Sequence, residues 1–343
     1  MQSFVLNSLA LVALTNAMPS AHRHGHSHAR RGNYDLSNVD WSAMDWAAIF
    51  GKGNAAAAAS SPAAVAPAAA APVAAAPTTT APVANRAAET TTAAASAPTT
   101  VSTVSGGKRG LAWDQANDPS LANLYENGKL SWVYNWGASS SFSNSLQFVP
   151  MIKTLGDVGQ LASVPKGATV LGFNEPDQDG ISAGAAAAAY KASFTPLRKS
   201  GAIGTLLSPG ITNGGAGLPW LQSFMSQCAD CEIDALAVHF YGPTMAMFQS
   251  QMAAIHAAFP DKQLWITEIG CTNWNTATNP SPAEVSQFMS DAIAWLESTS
   301  YVSKYSFFGA MPINDQSLGV ANEMMNGAAA GSSLTDLGRK YMS

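Results

Sequence analysis

Two glutamates close otherwise apolar runs: Glu175 in GFNEPD and Glu268 in LWITEIG. A carboxylate at such a position is costly to desolvate unless something uses it. Aromatic and amide residues crowd comparable positions, among them Trp113, Asn135, Trp136, Asn174, Tyr241 and Phe308. Two carboxylates in an aromatic cleft suit glycoside hydrolysis: one protonates the leaving oxygen, and the other attacks the anomeric carbon or activates water. Flat C–H faces of sugar rings stack on Trp and Tyr. Plainer readings exist for each glutamate, as a helix N-terminal acid or an ion-paired structural group. Against them, Pro176 favours an extended Glu175, and Lys and Arg total only 17 in the chain. His239 reads either as a hydrogen-bonded rim residue or as a cleft group. Tyr241 reads as a partner of the Glu268 carboxylate or as packing.

These residues need a scaffold that brings distant strand ends together. From Lys108 onward, short apolar runs alternate with helix-like segments, the pattern of βα units around a parallel sheet. The expected strands are Arg109–Trp113, Ser131–Trp136, Gln147–Met151, Val170–Asn174, Ile203–Leu207, Ala235–Phe240, Leu264–Thr267 and Lys304–Phe308. The clearest helices are Ala183–Lys199, Met245–Ala258 and Pro282–Ser298. Eight strands in about 240 residues match a (β/α)8 TIM barrel, where active-site groups sit at the C-terminal strand ends. An open doubly wound sheet is the alternative, but no Gly-rich phosphate loop follows the first strand. Strands four and seven lie nearly opposite in such a barrel, so Glu175 and Glu268 are expected to converge over its mouth.

The rest of the chain sets the context. Residues 1–17 read as a signal peptide, with an apolar core FVLNSLALVAL and small residues at a cleavage point. Residues 18–31 carry alternating histidines ending in Arg30-Arg31. This tract is either a metal-binding segment or, the preferred reading, a pro-segment released at the dibasic pair. Residues 32–53 have no assigned role. Residues 54–106 are almost entirely Ala, Pro, Thr and Ser, too poor in large apolar groups to offset ordering entropy. They are expected to be a disordered linker of the O-glycosylated type. No Asn-x-Ser/Thr sequon is present. The net charge of −5 and a charged fraction of 11% give no basic footprint for nucleic acid. No later apolar run approaches the roughly 20 residues of a membrane span. Cys228-x-x-Cys231 lacks a second ligand pair for zinc, so a structural disulfide or buried thiols is expected. Cys231 precedes strand six and Cys271 follows strand seven, at opposite ends of the barrel. Any disulfide is therefore Cys228–Cys231, with Cys271 free.

From Lys108 to the C-terminus the chain resembles glycoside hydrolase family 128, the β-1,3-glucanases that share the catalytic domain of alkali-sensitive-linkage wall proteins. The resemblance rests on KRGLAWD, YNWG, FVPM, GFNEPD, LLSPGITN, PWLQSF with CADC, DALAVHFYG, LWITEIG and YSFFG, in that order. It implies that residues 107–343 form a catalytic domain with Glu175 as acid/base and Glu268 as nucleophile. Asn174 and Tyr241 would support them, His239 would line the cleft, and Trp136 would stack on glucose. Trp113, Asn135, Trp274 and Phe308 complete the expected substrate-binding set. The implied activity is retaining, endo-type hydrolysis of β-1,3-glucan by a secreted monomer at the cell wall. No metal or organic cofactor is expected. The alternative is a weakly catalytic or non-catalytic glucan-binding protein on the same scaffold. Departures from the family pattern lie at Ile152-Lys153, Phe240 and Phe307-Phe308. They spare the carboxylates and bear on subsite affinity and on endo against exo action.

Overall fold

The computed structural model describes residues 106–114, 118–126, 128–311, 317–329 and 331–343. The expected signal peptide, the pro-segment, residues 32–53 and the linker up to residue 105 lie outside the described residues. The described part is an α/β fold of parallel strands followed by helices. The strands are β1 Gly110–Ala112, β2 Trp132–Tyr134, β3 Gln147–Phe148, β4 Ala168–Val170, β5 Ile203–Leu206, β6 Ala235–Tyr241, β7 Gln263–Gly270 and β8 Val302–Tyr305. They pair in parallel as β1-β2-β3, β4-β5 and β6-β7-β8. Between these groups lie single parallel bridges, Met151 with Leu171, Leu207 with Ala235, and Arg109 with Tyr305. A short antiparallel pair, β9 Met325–Asn326 with β10 Ser333–Leu334, follows β8.

Four of the six described α-helices begin at a side-chain cap from their own sequence. In α1, Ala183–Ala189, the Ser182 hydroxyl accepts from the Ala185 N–H. A π-helical stretch, Tyr190–Phe194, leads into α2, Thr195–Lys199. α3 spans Gly217–Gln227, and α4, Met245–Ala258, is capped by Thr244. α5, Pro282–Ser298, has Pro282 at its first turn and a reciprocal capping box between Ser281 and Glu284. α6 is Asp336–Met342. No described helix is long and apolar enough to cross a membrane. The first and third connections are 3-10 helices, Pro119–Tyr125 and Leu155–Ser163, in place of α-helices.

Strand bounds shift from expectation, most at β4, which is Ala168–Val170 instead of Val170–Asn174, and also at β8 and β3. β8 ends at Tyr305, not Phe308, because Ser306 and Phe308 donate their amides to Ile266 and Ile269 as the chain leaves regular pairing. β3 is two residues long. The core is aromatic-rich, with Trp132 and Trp265 both fully buried at 5.1 Å between ring centroids. Beneath β8, Lys304 donates to the Gly107 carbonyl and Arg109 to the Tyr305 hydroxyl, so the buried cations are hydrogen-bonded. The disulfide joins Cys228 and Cys231, and Cys271 is a buried free thiol, as the barrel reading requires.

Candidate active site

Glu175 sits one residue beyond the Asn174–Gly210 bridge, its amide donating to the Gly210 carbonyl at 2.8 Å. Its own carbonyl accepts from Gln178 and Asp179, which turns the chain sharply. The residue has φ 43°, in the left-handed region. The extended conformation expected before Pro176 therefore does not occur: the Gly210 contact and the following turn override the local preference. Such a conformation costs about 1–3 kcal/mol and persists only where the surroundings hold it. Four described non-glycine residues have positive φ, and three of them are Glu175, Trp136 and Trp274. Strain thus gathers at the candidate site.

Glu268 reaches the same place from within β7. Along β6 and β7 the register slips between Val238 and His239, so that His239 pairs with Glu268 rather than with Thr267. This irregularity levels His239 and Glu268 at the sheet's C-terminal end. Glu268 is 1% exposed, so its charge must be met by donors. Its Oε1 accepts from the Trp136 indole N–H at 2.9 Å, and its Oε2 from the Tyr241 hydroxyl at 2.6 Å.

His239 stands between the two carboxylates. Its Nδ1 lies 2.8 Å from Glu175 Oε1 and 3.5 Å from Glu268 Oε2. A ring nitrogen of His239 and one oxygen of each carboxylate all lie within 4.8 Å of one another. Burial disfavours the charged imidazole, but the Glu268 and Glu175 carboxylates outweigh it and raise its pKa to about 9. Burial, reinforced by Glu268 and Glu175, pushes the phenols of Tyr134 and Tyr241 well above their usual range, so both remain neutral donors. The carboxylates are thereby satisfied by imidazole, phenol and indole protons from the chain itself.

The remaining expected site residues divide. Asn174 is partly buried, and its Oδ1 is enclosed without a hydrogen-bond partner. Phe308 and Trp274 are partly exposed and pack on Tyr241 at 6.1 and 5.1 Å. Trp113 departs from expectation. It is 0% exposed and packs edge-on to Tyr125, with no face to offer a sugar. Asn135 is 4% exposed and spends its amide on the loop, donating to Ser139 and accepting from Gly137. Trp136 is 3% exposed and lies against Tyr134 and Phe308. It holds the Glu268 carboxylate by its edge instead of presenting a stacking face.

Sequence reasoning assigned no role to three residues that build the site. Asn213 clasps Tyr241, accepting from its amide and donating to its carbonyl, both at 3.0 Å. Asp177 accepts from both the amide and the hydroxyl of Thr212, tying the segment after β4 to that after β5. Asn213 and Asp177 fall in LLSPGITN and GFNEPD, so their position at strand ends was the available signal. Asn322, 4% exposed, accepts from the Cys271 amide and donates to the Cys271 carbonyl. Nothing in its local sequence marks it.

Residues 110–341 match the family model described as glycosyl hydrolase catalytic core. Alkali-sensitive linkage protein 1 of Schizosaccharomyces pombe is 40% identical over 245 residues, which cover 69% of this chain and 44% of that protein. The match therefore spans less than half the length of this curated relative. An exo-β-1,3-glucanase of glycoside hydrolase family 128, subgroup VI, from Aureobasidium namibiae is 27% identical at a TM-score of 0.61, covering 69% of this chain and 96% of that one. A family 128 subgroup IV endo-β-1,3-glucanase from Lentinula edodes is 28% identical at a TM-score of 0.58, covering 69% and 99%.

Proposed function

This chain belongs to the glycosyl hydrolase catalytic core family, as its resemblance to family 128 anticipates, and we propose that it hydrolyses β-1,3-glucan with retention of configuration. Glu175 is the acid/base and Glu268 the nucleophile. One observation carries the reading: carboxylate oxygens of Glu175 and Glu268 lie within 4.8 Å of each other. Retaining pairs stand about 5–5.5 Å apart, whereas inverting pairs leave about 6.5–9.5 Å for a water. The bridges that link the three strand groups support reading the eight strands as a closed (β/α)8 barrel, with both glutamates at its C-terminal mouth.

The chemistry follows from the geometry. Glu268 is held as an anion by Tyr241 and Trp136, with one oxygen to direct at the anomeric carbon. Glu175, less buried than Glu268, protonates the departing glycosidic oxygen and then takes a proton from the water that releases the sugar. Asn174 directs its unmet Oδ1 to a sugar hydroxyl. Phe308 and Trp274 supply the partly exposed aromatic surface for pyranose rings. Solved relatives include both exo- and endo-glucanases; the endo mode expected from the sequence is part of the proposal. So are a monomeric state and a secreted, wall-associated location.

The test is reducing-sugar release from linear β-1,3-glucan by the full chain beside Glu175→Gln and Glu268→Gln. Activity in the parent, collapse in both variants and a β-anomer as first product support the proposal. An α-anomer refutes retention, and glucose as the first product refutes the endo mode. An inactive parent that still binds the glucan moves the assignment to a binding protein.

A further inference from the structure

Both carboxylates of the pair share a single imidazole, and the two half-reactions make opposite demands on one of them. Glu175 must carry a proton when the glycosidic bond breaks and must lack it when water attacks. In the structure its Oε1 meets His239 Nδ1 at 2.8 Å. A carboxylate oxygen only accepts, so the proton of that bond resides on the imidazole when Glu175 is ionised. The groups facing His239 come from every neighbouring strand end: Glu175 and Asp177 from beyond β4, Glu268 from β7, and the Gly210 backbone from beyond β5. The phenols of Tyr134 and Tyr241 face the same two carboxylates. On its far side, Nε2 is buried without a hydrogen-bond partner, at a point where a Cβ on Gly210 would lie 3.1 Å away. The second proton of the ring is therefore supported by the carboxylates, and removal of either charge weakens its hold.

We propose that His239 is a positioning residue that stores the acid's proton between turnovers, an inference that rests on the acid/base and nucleophile assignments above. At rest, both glutamates are anionic and His239 is an imidazolium. In the first half-reaction Nδ1 passes its proton to Glu175 Oε1, and Glu175 gives a proton to the leaving oxygen. The bond from C1 to that oxygen breaks as a Glu268 oxygen bonds to C1. His239 is then neutral, keeping its Nε2 proton, and the esterified Glu268 no longer carries the charge that held the second one. Glu175 is left anionic, as the base step requires. In the second half-reaction water adds to C1, the C1–Glu268 bond breaks, and the water's proton goes to Glu175. The restored Glu268 charge draws that proton back to His239.

The experiment compares the full chain with His239→Gln on two substrates across pH. One is linear β-1,3-glucan, and the other is a dinitrophenyl β-laminaribioside, whose leaving group departs without a proton. The variant is expected to lose about tenfold or more of kcat on glucan above neutral pH. Its alkaline limb should shift down by about one unit or more, with KM little changed. On the dinitrophenyl substrate the loss should stay within about threefold. An unshifted alkaline limb, or equal losses on both substrates, overturns the proposal and leaves His239 a structural residue. Full glucan activity in Glu175→Gln overturns the acid/base assignment itself and the proposal with it. If the variant does not fold, nitrogen-15 NMR of the parent labelled at histidine decides, with Glu175→Gln identifying the His239 signals. Two protonated ring nitrogens at neutral pH, reduced to one when a 2-fluoro-glycosyl enzyme is trapped, support the proposal; a neutral ring in the free protein overturns it.

Discussion

Replacing Tyr241 by Phe removes one atom from the site and leaves its packing in place. The ring lies against Trp274 at 5.1 Å and Phe308 at 6.1 Å, beside the fully buried Leu318, and a phenylalanine keeps those contacts. What disappears is the 2.6 Å hydrogen bond to Glu268 Oε2, in a place where Tyr241 is 6% and Glu268 1% exposed. A hydrogen bond to a charged group contributes about 1.5–3 kcal/mol, and solvent does not replace it here. At roughly 2–4 °C per kcal/mol for a domain of this size, the melting temperature should fall by about 3–12 °C. The bond is already made in the free enzyme, so its energy alone leaves kcat/KM unchanged; the rate suffers because the freed carboxylate loses its aim at the anomeric carbon. Glu268 gives up charge as it bonds to the anomeric carbon, so the bond weakens along the reaction. That weakening offsets part of the positioning loss, and the expected net fall in kcat/KM is about tenfold. Thermal melts followed by circular dichroism, with initial rates on linear β-1,3-glucan, measure both effects. A variant that melts within about 1 °C of the parent and keeps kcat/KM within about twofold would refute the claim that this hydroxyl holds the nucleophile.

Gly172→Ala tests the packing beyond β4: its Cβ would lie 1.7 Å from the Tyr190 hydroxyl and 2.9 Å from the Pro209 nitrogen. Since that hydroxyl also donates to Leu207, a stability loss of about 2–4 kcal/mol is expected in denaturant titration. His239 makes stability depend on pH in a definite sense. Its folded pKa of about 9 exceeds its ordinary value of 6.5, so its contribution is complete below about pH 6.5 and is lost as pH rises through about 9. Lys304, lowered to about 8 by burial, acts in the opposite sense over an overlapping range. The melting curves of the parent and His239→Gln should therefore converge between pH 6.5 and 9, and parallel curves would contradict the linkage. Cys271 is 1% exposed and its thiol is pushed up to about 12 by burial. It should resist alkylation at pH 8 in the native protein and react at once in denaturant, as mass spectrometry would show.

The sequence alone determined those features whose energetics are local. α4 and α5 begin at their Thr244 and Ser281 caps, with Pro282 in the first turn of α5, because a helix terminus is settled by hydrogen bonds within about four residues. The Cys228–Cys231 pairing follows from the order of strands and the reach of a disulfide. Glu175 and Glu268 were legible as strand-end carboxylates because desolvating a charge at the end of an apolar run needs a reason. Tertiary structure decided what those groups do. Trp136 and Glu268 are 132 residues apart in the chain, and His239 and Glu175 are 64 apart. Whether such side chains meet depends on strand register, and the slip between Val238 and His239 changes the partner of His239 from Thr267 to Glu268. No pattern within either strand encodes that slip. The left-handed backbone of Glu175 is likewise imposed from outside, by the Gly210 carbonyl and the turn that follows, against the preference set by Pro176. Trp113 and Trp136 were alike as strand-end aromatics in the sequence. One became core and the other a hydrogen-bond donor to the nucleophile, because burial is a property of the whole packed fold and not of a residue's type.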